Sequence, residues 1–357
     1  MAVINTDTIV IGAGPVGLFQ AFQLGLLSLN THVIDALPEA GGQCVALYPD
    51  KPIYDVPGVP VCTGRELAQL LLAQARPFLP RDDASGQITN LHLNDQVASV
   101  QPRADGGFDV ATRQGLQFHC RAVFVAAGAG AFVPRTLNLA ALEGAANLHY
   151  HLPEAPATIP WAGQHLVIAG GGEEALSAVA ALLDVPANAS PVAITLLHRR
   201  DQFQAEPALE AQVRAWIVQG RIKLALGVPS GADIQDGRVT ALHILGADGV
   251  TQALHLDHLL VRLGLSPKLG PLVDWGFRLD RKQVSVSPDS FQSSATGIYA
   301  VGDINTYPGK KRLLLCGFHE ATLAAHHALA QLKPDQPQHL QYTTTSALLH
   351  QRLGVAS

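Results

Sequence analysis

The sequence is poor in features that would place its chemistry on sulfur or on a bound metal. Its four cysteines, Cys44, Cys62, Cys120 and Cys316, form no C-x-x-C and no zinc-ligand spacing, which argues against a disulfide framework and a structural zinc site. Fifteen histidines are present, yet pairs such as His255 with His258 and His326 with His327 lack carboxylate or thiolate neighbours in a metal pattern. No metal is expected. Charge is also scarce. Lys and Arg number 24 against 29 Asp and Glu, a net charge of -5, so there is no general attraction to nucleic acid or to an anionic membrane surface, and any basic site must be local. No apolar run approaches the roughly 18 to 20 residues that cross a bilayer. No charged n-region, apolar h-region and small-residue cleavage site precede the first strand-like run, DTIVIG, so the expectation is a cytoplasmic protein. With 357 residues, 48% of them hydrophobic, the chain is long enough for two packed domains.

What is present is a dinucleotide-binding fingerprint, and it occurs twice. The β-branched run from Asp7 to Ile11 leads into GAGPVG, with Gly12, Gly14 and Gly17 around Pro15 and Val16, followed by an apolar helical stretch and a second strand ending at Asp35. Strand, G-x-G-x-x-G, helix, strand and acid together form the fingerprint. The glycines permit a tight turn and close approach of a pyrophosphate to the helix N-terminus. Asp35 can accept hydrogen bonds from a ribose diol, and FAD, which carries no 2′-phosphate, fits this first site. The second copy, HLVIAGGGEEALSAVAALL, sets a strand before Gly170, Gly171 and Gly172, with Ala175 at the third small position. Its next strand ends in His198, Arg199 and Arg200 instead of an acid. A pair of guanidiniums there suits a 2′-phosphate, so this site reads as NADP(H)-binding.

Between the two copies, residues 87–127 read as short strands with turns at ADGG and RQG, a β-meander. The later run ATGIYAVGDIN brings a strand into Gly302 and Asp303, before the helical stretch GFHEATLAAHHALAQL. An acid at a strand end ahead of a helix can hold a ribityl hydroxyl while the helix N-terminus faces a flavin. The expected fold is therefore α/β, with two Rossmann-like, three-layer ββα domains. The FAD domain is discontinuous (1–128 and 283–357) around an NADP(H) domain at 129–282. The loop GGQCVALYPDKPIYDVPG, residues 41–58, has neither helical nor strand periodicity and should carry function. It poses the question whether Cys44 is a redox thiol.

GAGPVGL, GGQ followed by ALYPDKPIYDVPG, AAGAGAFVPR, HRRDQF, LGLSPKLGPLVDWG and YAVGDI, in that order, resemble the pyridine-nucleotide-linked flavoprotein disulfide reductases, and more narrowly the thioredoxin-reductase-like ferredoxin–NADP+ reductases. The resemblance covers essentially the whole chain, and the pairing of ALYP with IYDV is its specific part. A thioredoxin reductase resembling this chain would carry a C-x-x-C, since disulfide exchange needs an attacking and a resolving thiol. Without that motif, Cys44 reads as a small loop residue.

The resemblance implies exchange of hydride between NADP(H) and FAD, coupled to one-electron transfer with a ferredoxin or flavodoxin. It implies that Tyr48 stacks on one face of the flavin and Tyr342 on the other, with Thr344 and Thr345 beside it. Gln43, Val97, Phe132 and Asp303 match positions that contact FAD. It also implies a homodimer whose C-terminal tail covers its own or the partner's flavin. Two departures bear on the nucleotide. Gln204 stands where an arginine often helps bind the 2′-phosphate, and Glu173 and Glu174 adjoin the expected pyrophosphate. Lys310, Lys311 and Arg312 offer an acidic ferredoxin a docking patch, or are a solvated turn. Two other readings stay open: an NADPH-dependent flavoprotein reductase of another acceptor (a disulfide, a ferric chelate or free flavin), and a non-catalytic NADPH-sensing flavoprotein.

Overall fold

The computed structural model describes residues 3–82, 88–152, 161, 163–185, 191–335 and 339–355, with the side chains of residues 131, 132 and 267 outside that description. The chain divides into two compact units, Met1–Ala131 with Lys268–Ser357, and Phe132–Pro267. The first unit is therefore built from both ends of the chain.

In the first unit a five-stranded parallel sheet runs Ile298–Ala300, Ala122–Val125, Thr8–Ile11, Thr31–Ile34, Leu91–His92. Its strands are largely apolar because both faces are covered. Side chains of a strand alternate between faces. Ile9, Ile11, Val123 and Val125 pack with Val110 and Phe118 of a four-stranded meander, Ile4–Asn5, Gln117–Cys120, Phe108–Thr112, Val97–Pro102. Val10, Val33 and Phe124 face the opposite way, against Leu18, Leu67 and Ala324 of the helices Pro15–Leu26, Gly64–Ala75 and Leu314–Leu332. Meander, parallel sheet and helices are the three layers expected of a ββα domain.

The second unit repeats the plan. Its parallel sheet runs Leu148–His149, His258–Val261, His165–Ala169, Ala193–His198, Lys223–Leu226. Leu166 and Ile168 pack toward the helices Glu173–Leu183 and Pro207–Val218. Val167 and Ala169 pack toward an antiparallel sheet of Val228–Gln235, Arg238–Leu245 and Thr251–His255.

The chain rejoins the first unit at Lys268, ahead of the expected residue 283. The cause is apolar: Leu272, Trp275 and Phe277 are buried in the cluster between meander and sheet. Among the described residues no helix is long and apolar enough to cross a membrane, and no group of three His, Cys, Asp or Glu residues is placed to hold a metal.

Acid sensitivity is built into the edge of the first sheet. His32 Nδ1 and His92 Nε2 lie 2.9 Å apart, with the rings stacked beside Phe118. Burial, and then the neighbouring imidazole, push His32 down to about 4, and burial lowers His92 as well. An unfolded histidine titrates near about 6.5, so between that pH and about 4 the unfolded chain binds more protons than the folded one. Stability from the neutral pair is full above the upper value and is lost as pH falls through the window. The melting temperature should fall on acidification over this range, less steeply in His32→Phe. Equal slopes in the two proteins would refute the assignment.

Candidate functional site

Three segments of the first unit converge at the N-terminus of its first helix. The strand Thr8–Ile11 ends in Gly12 at φ +110, where an added Cβ would lie 2.5 Å from the Ala126 carbonyl oxygen. A Cβ on Gly17 would overlap the carbonyl of Gly12. The turn is as tight as backbone allows. Gly14 caps the helix without a side-chain bond, Pro15 occupies its first turn, and no acid stands there. The leading amides, including that of Val16, therefore form an open, positively polarised end suited to an anion. Asp35 closes the turn from below: Oδ2 accepts from the Ala13 N–H at 2.5 Å and Oδ1 from the Leu37 N–H at 2.8 Å. Burial nevertheless pushes its carboxyl above the ordinary range.

The second segment is the loop at 41–48. Gly42, at φ +56, would bring a Cβ within 2.8 Å of the Gly14 Cα, and the Gly41 N–H donates to the Ala13 carbonyl at 2.8 Å. Gln43 opens a short helix, Gln43–Ala46, and its amide covers Gly128. Cys44 is 5% exposed. Burial raises its thiol, while a bond with the Tyr48 side chain partly opposes the shift. The Tyr48 hydroxyl is pushed up to about 12 by burial first, then by Cys44 and Asp303. A thiol held in its protonated form is a poor nucleophile. Alkylation of the native protein by iodoacetamide should modify the half-buried Cys316 first and spare Cys44, Cys62 and Cys120, which are buried. Labelling of Cys44 ahead of Cys316 in a mass spectrum would contradict this.

The third segment is the turn Gly302–Ile304, against which Val16 packs. The Asp303 carboxylate is half-buried and has no hydrogen-bond or ion-pair partner among the described residues. Its charge is felt by both Cys44 and Tyr48. The helix Leu314–Leu332 begins beside it, with Gly317 against Val16, uncapped by any side chain and without an acid in its first turn.

Other predicted residues lie elsewhere. Val97 is 2% exposed and packed in the core, so its side chain is not available to a ligand. The backbone of Phe132 lies in the strand Ala131–Pro134, and its side chain is outside the described residues. Tyr342, Thr344 and Thr345 sit exposed in the turn before the helix Ala347–Leu353. That helix docks through Arg352, which donates to the Leu26 carbonyl at the far end of the first helix from the glycine turn. Lys310 corrects the expectation of a free docking cation. Its ammonium is 2.5 Å from the Glu320 carboxylate and its side chain only 8% exposed, while Lys311 and Arg312 remain on the surface. The sequence reading missed Glu320. Its signal was an acid beside Gly317, Ala321 and Ala324, on the buried face of an otherwise apolar helix.

The second unit carries its own turn. Ala175, fully buried, fits beneath Gly170, and the His198 ring lies where a Cβ on Gly171 would be. Gly172 caps the helix Glu173–Leu183 without a side-chain bond. The two acids behind it are engaged: Glu173 accepts from the Glu206 N–H at 2.8 Å, and Glu174 lies 3.3 Å from the Arg262 guanidinium. Burial, then Arg199 and Arg200, lower His198 toward the neutral form. The side chains of Arg199 and Arg200 are exposed, and their guanidiniums have no hydrogen-bond or ion-pair partner among the described residues. Asp201 does not neutralise them because Arg214 holds it at 2.8 Å. Gln204 meets the turn by its backbone, donating to the Gly171 carbonyl at 2.8 Å.

Residues 6–331 match the pyridine nucleotide-disulphide oxidoreductase family. The chain is 50% identical to a ferredoxin–NADP reductase of Paracidovorax citrulli, covering 99% of this chain and 97% of that one. It is 48% identical to ferredoxin–NADP reductase 2 of Cupriavidus taiwanensis over 99% and 92% of the two chains. Among solved structures it is similar in fold to the bacillithiol disulfide reductase of Staphylococcus aureus, with a TM-score of 0.61 at 15% identity, covering 92% of this chain and 99% of that one. Lactococcus lactis thioredoxin reductase matches with a TM-score of 0.57 at 18% identity over 93% and 100%.

Proposed function

The chain belongs to the pyridine nucleotide-disulphide oxidoreductase family, and from that membership we propose that it is an FAD-dependent ferredoxin (or flavodoxin)–NADP+ oxidoreductase, acting in the cytoplasm as a homodimer. The observation that carries the proposal is the convergence at one helix end of an open-amide glycine turn, with no room for a Cβ, and the unpartnered Asp303 carboxylate. A dinucleotide flavin satisfies both. Its pyrophosphate suits the amides beyond Gly14, its adenosine ribose suits the free lone pairs of Asp35, and its ribityl hydroxyls suit Asp303. Gln43 and Tyr48 are within the same cradle.

FAD, when bound, accepts hydride from a nicotinamide and passes electrons on singly. This chain's residues bind, orient and screen. Tyr48, protonated at any working pH, offers a ring face to the flavin. Arg199 and Arg200 bind the 2′-phosphate of NADP(H), and their charge helps keep His198 toward its neutral form. Lys311 and Arg312, without Lys310, form the basic part of a surface for an acidic ferredoxin. Because the tail is tied to the far end of the first helix, Tyr342, Thr344 and Thr345 serve the flavin of the partner subunit.

Anaerobic mixing with NADPH tests the reading. Rapid bleaching of the bound flavin, with cytochrome c reduction that depends on added ferredoxin, is expected. Bleaching with no ferredoxin dependence would move the assignment to another electron acceptor, and no bleaching would overturn it.

A further inference from the structure

The turn that presents Asp303 is held by side chains almost atom by atom. The Gly302 N–H donates to Glu320 Oε2 at 2.7 Å, and the Gly302 carbonyl accepts from Lys310 Nζ at 2.9 Å. Lys310 Nζ also donates to Glu320 Oε1 at 2.5 Å, and the Tyr307 hydroxyl donates to that oxygen at 3.0 Å. Asn305 Nδ2 donates to Glu320 Oε2 and to the Ala300 carbonyl, both at 2.8 Å. Gln283 Nε2 donates to the carbonyls of Asp303 and Asn305 at 3.1 and 2.9 Å. Glu320 is completely buried, and each of its oxygens accepts two bonds, the full capacity of a carboxylate.

Such a pair is weak evidence for stability, because apolar residues of similar volume often replace a buried ion pair without loss. What an apolar pair could not do is hold one residue's backbone at both its N–H and its C=O, and so fix the two peptides that flank Gly302. Gly302 itself, at φ +78, has no side-chain constraint on its conformation. Among the described residues the adjoining Asp303 carboxylate takes no part in this network.

We propose that Lys310 and Glu320 are positioning residues, which clamp the two peptides flanking Gly302 and so aim the Asp303 carboxylate at the flavin. The proposal rests on the flavin reading above. It takes the Lys310–Glu320 pair out of the partner surface and makes it part of cofactor binding.

The test compares FAD dissociation constants for the full-length protein, for Lys310→Met, and for the charge-balanced pair Lys310→Met with Glu320→Gln, each in the native and in an Asp303→Asn background. The double variant avoids a lone buried charge and covers failure of Lys310→Met to fold. In the native background FAD should bind about tenfold or more weakly in the variants, and the visible circular dichroism of the residual bound flavin should change. In the Asp303→Asn background the same substitutions should weaken binding by less than about twofold, because they act through a carboxylate that is no longer there. Equal losses in both backgrounds, or a lowered melting temperature of the FAD-free protein with unchanged FAD affinity, would overturn the proposal and leave an ordinary core ion pair. A parent protein that binds no FAD, or is not reoxidised by ferredoxin, would instead refute the function on which it rests.

Discussion

Gly12→Ala should be purified colourless and markedly less stable than the parent protein. At φ +110 any side chain is strained, at a cost of about 1–3 kcal/mol. The added Cβ would also lie 2.5 Å from the oxygen and 2.9 Å from the carbon of the Ala126 carbonyl. These are backbone atoms at the end of a central strand, bonded to the Ile11 carbonyl through the Ala126 N–H, so neither can yield as a flexible side chain would. The turn must open, and opening it pulls the Ala13 amide from Asp35 and splays the amides meant for the pyrophosphate. Gly14→Ala is the control. Its φ of −69 suits any residue and its nearest neighbour, the Gly42 Cα, is 3.8 Å away, so this variant should fold and lose affinity only where the cofactor approaches. The ratio of flavin to protein absorbance and a melting curve decide both. A fully yellow Gly12→Ala protein would show that the turn is not the binding cradle.

Arg199→Ala with Arg200→Ala should abolish the preference for NADPH over NADH. Neither guanidinium is committed to a protein partner among the described residues, and Arg214 keeps Asp201 from neutralising them. Hydrogen bonds to charged groups contribute about 1.5–3 kcal/mol each. With the lower figure, because both side chains are exposed, the two together supply about 3 kcal/mol, or about 100-fold at roughly 1.4 kcal/mol per tenfold. The loss should appear in KM for NADPH with kcat little changed, since a phosphate remote from the reacting carbon binds equally in ground and transition states. KM for NADH should stay within about twofold, and salt should weaken NADPH binding to the parent protein more than to the variant. A parallel loss for both nucleotides would mean that the arginines support the fold of the loop rather than read the phosphate.

Much of the architecture could be read along the chain because it depends on local order. Glycines at fixed spacing between an apolar strand and an apolar helix, followed by an acid in one copy and by arginines in the other, specify two nucleotide folds. The meander between them was legible from alternation and turn residues. Less legible were features that depend on which face a residue takes. Val97 falls in the meander at a position that the resemblance links to FAD, and the register turns its side chain into the core. Trp275 and Phe277 carry no periodic signal, and much of the hydrophobic cluster they complete, from Ile9 to Val125, lies far back along the chain. The chain rejoins the first unit at Lys268 for that reason.

By itself, the sequence determined the family, the two ββα domains and the residues of both glycine turns, because turn geometry and strand alternation are set by neighbours within a few positions. Only the tertiary structure decided the electrostatics. Lys310 stands in a run of three cations and reads as surface, but it meets Glu320, ten residues on, because the helix Leu314–Leu332 folds back beneath the Gly302 turn. Asp201 follows two arginines and is drawn from them by Arg214 on the helix that follows. A charge is defined by what faces it at about 3 Å across the fold, and spacing along the chain does not carry that distance.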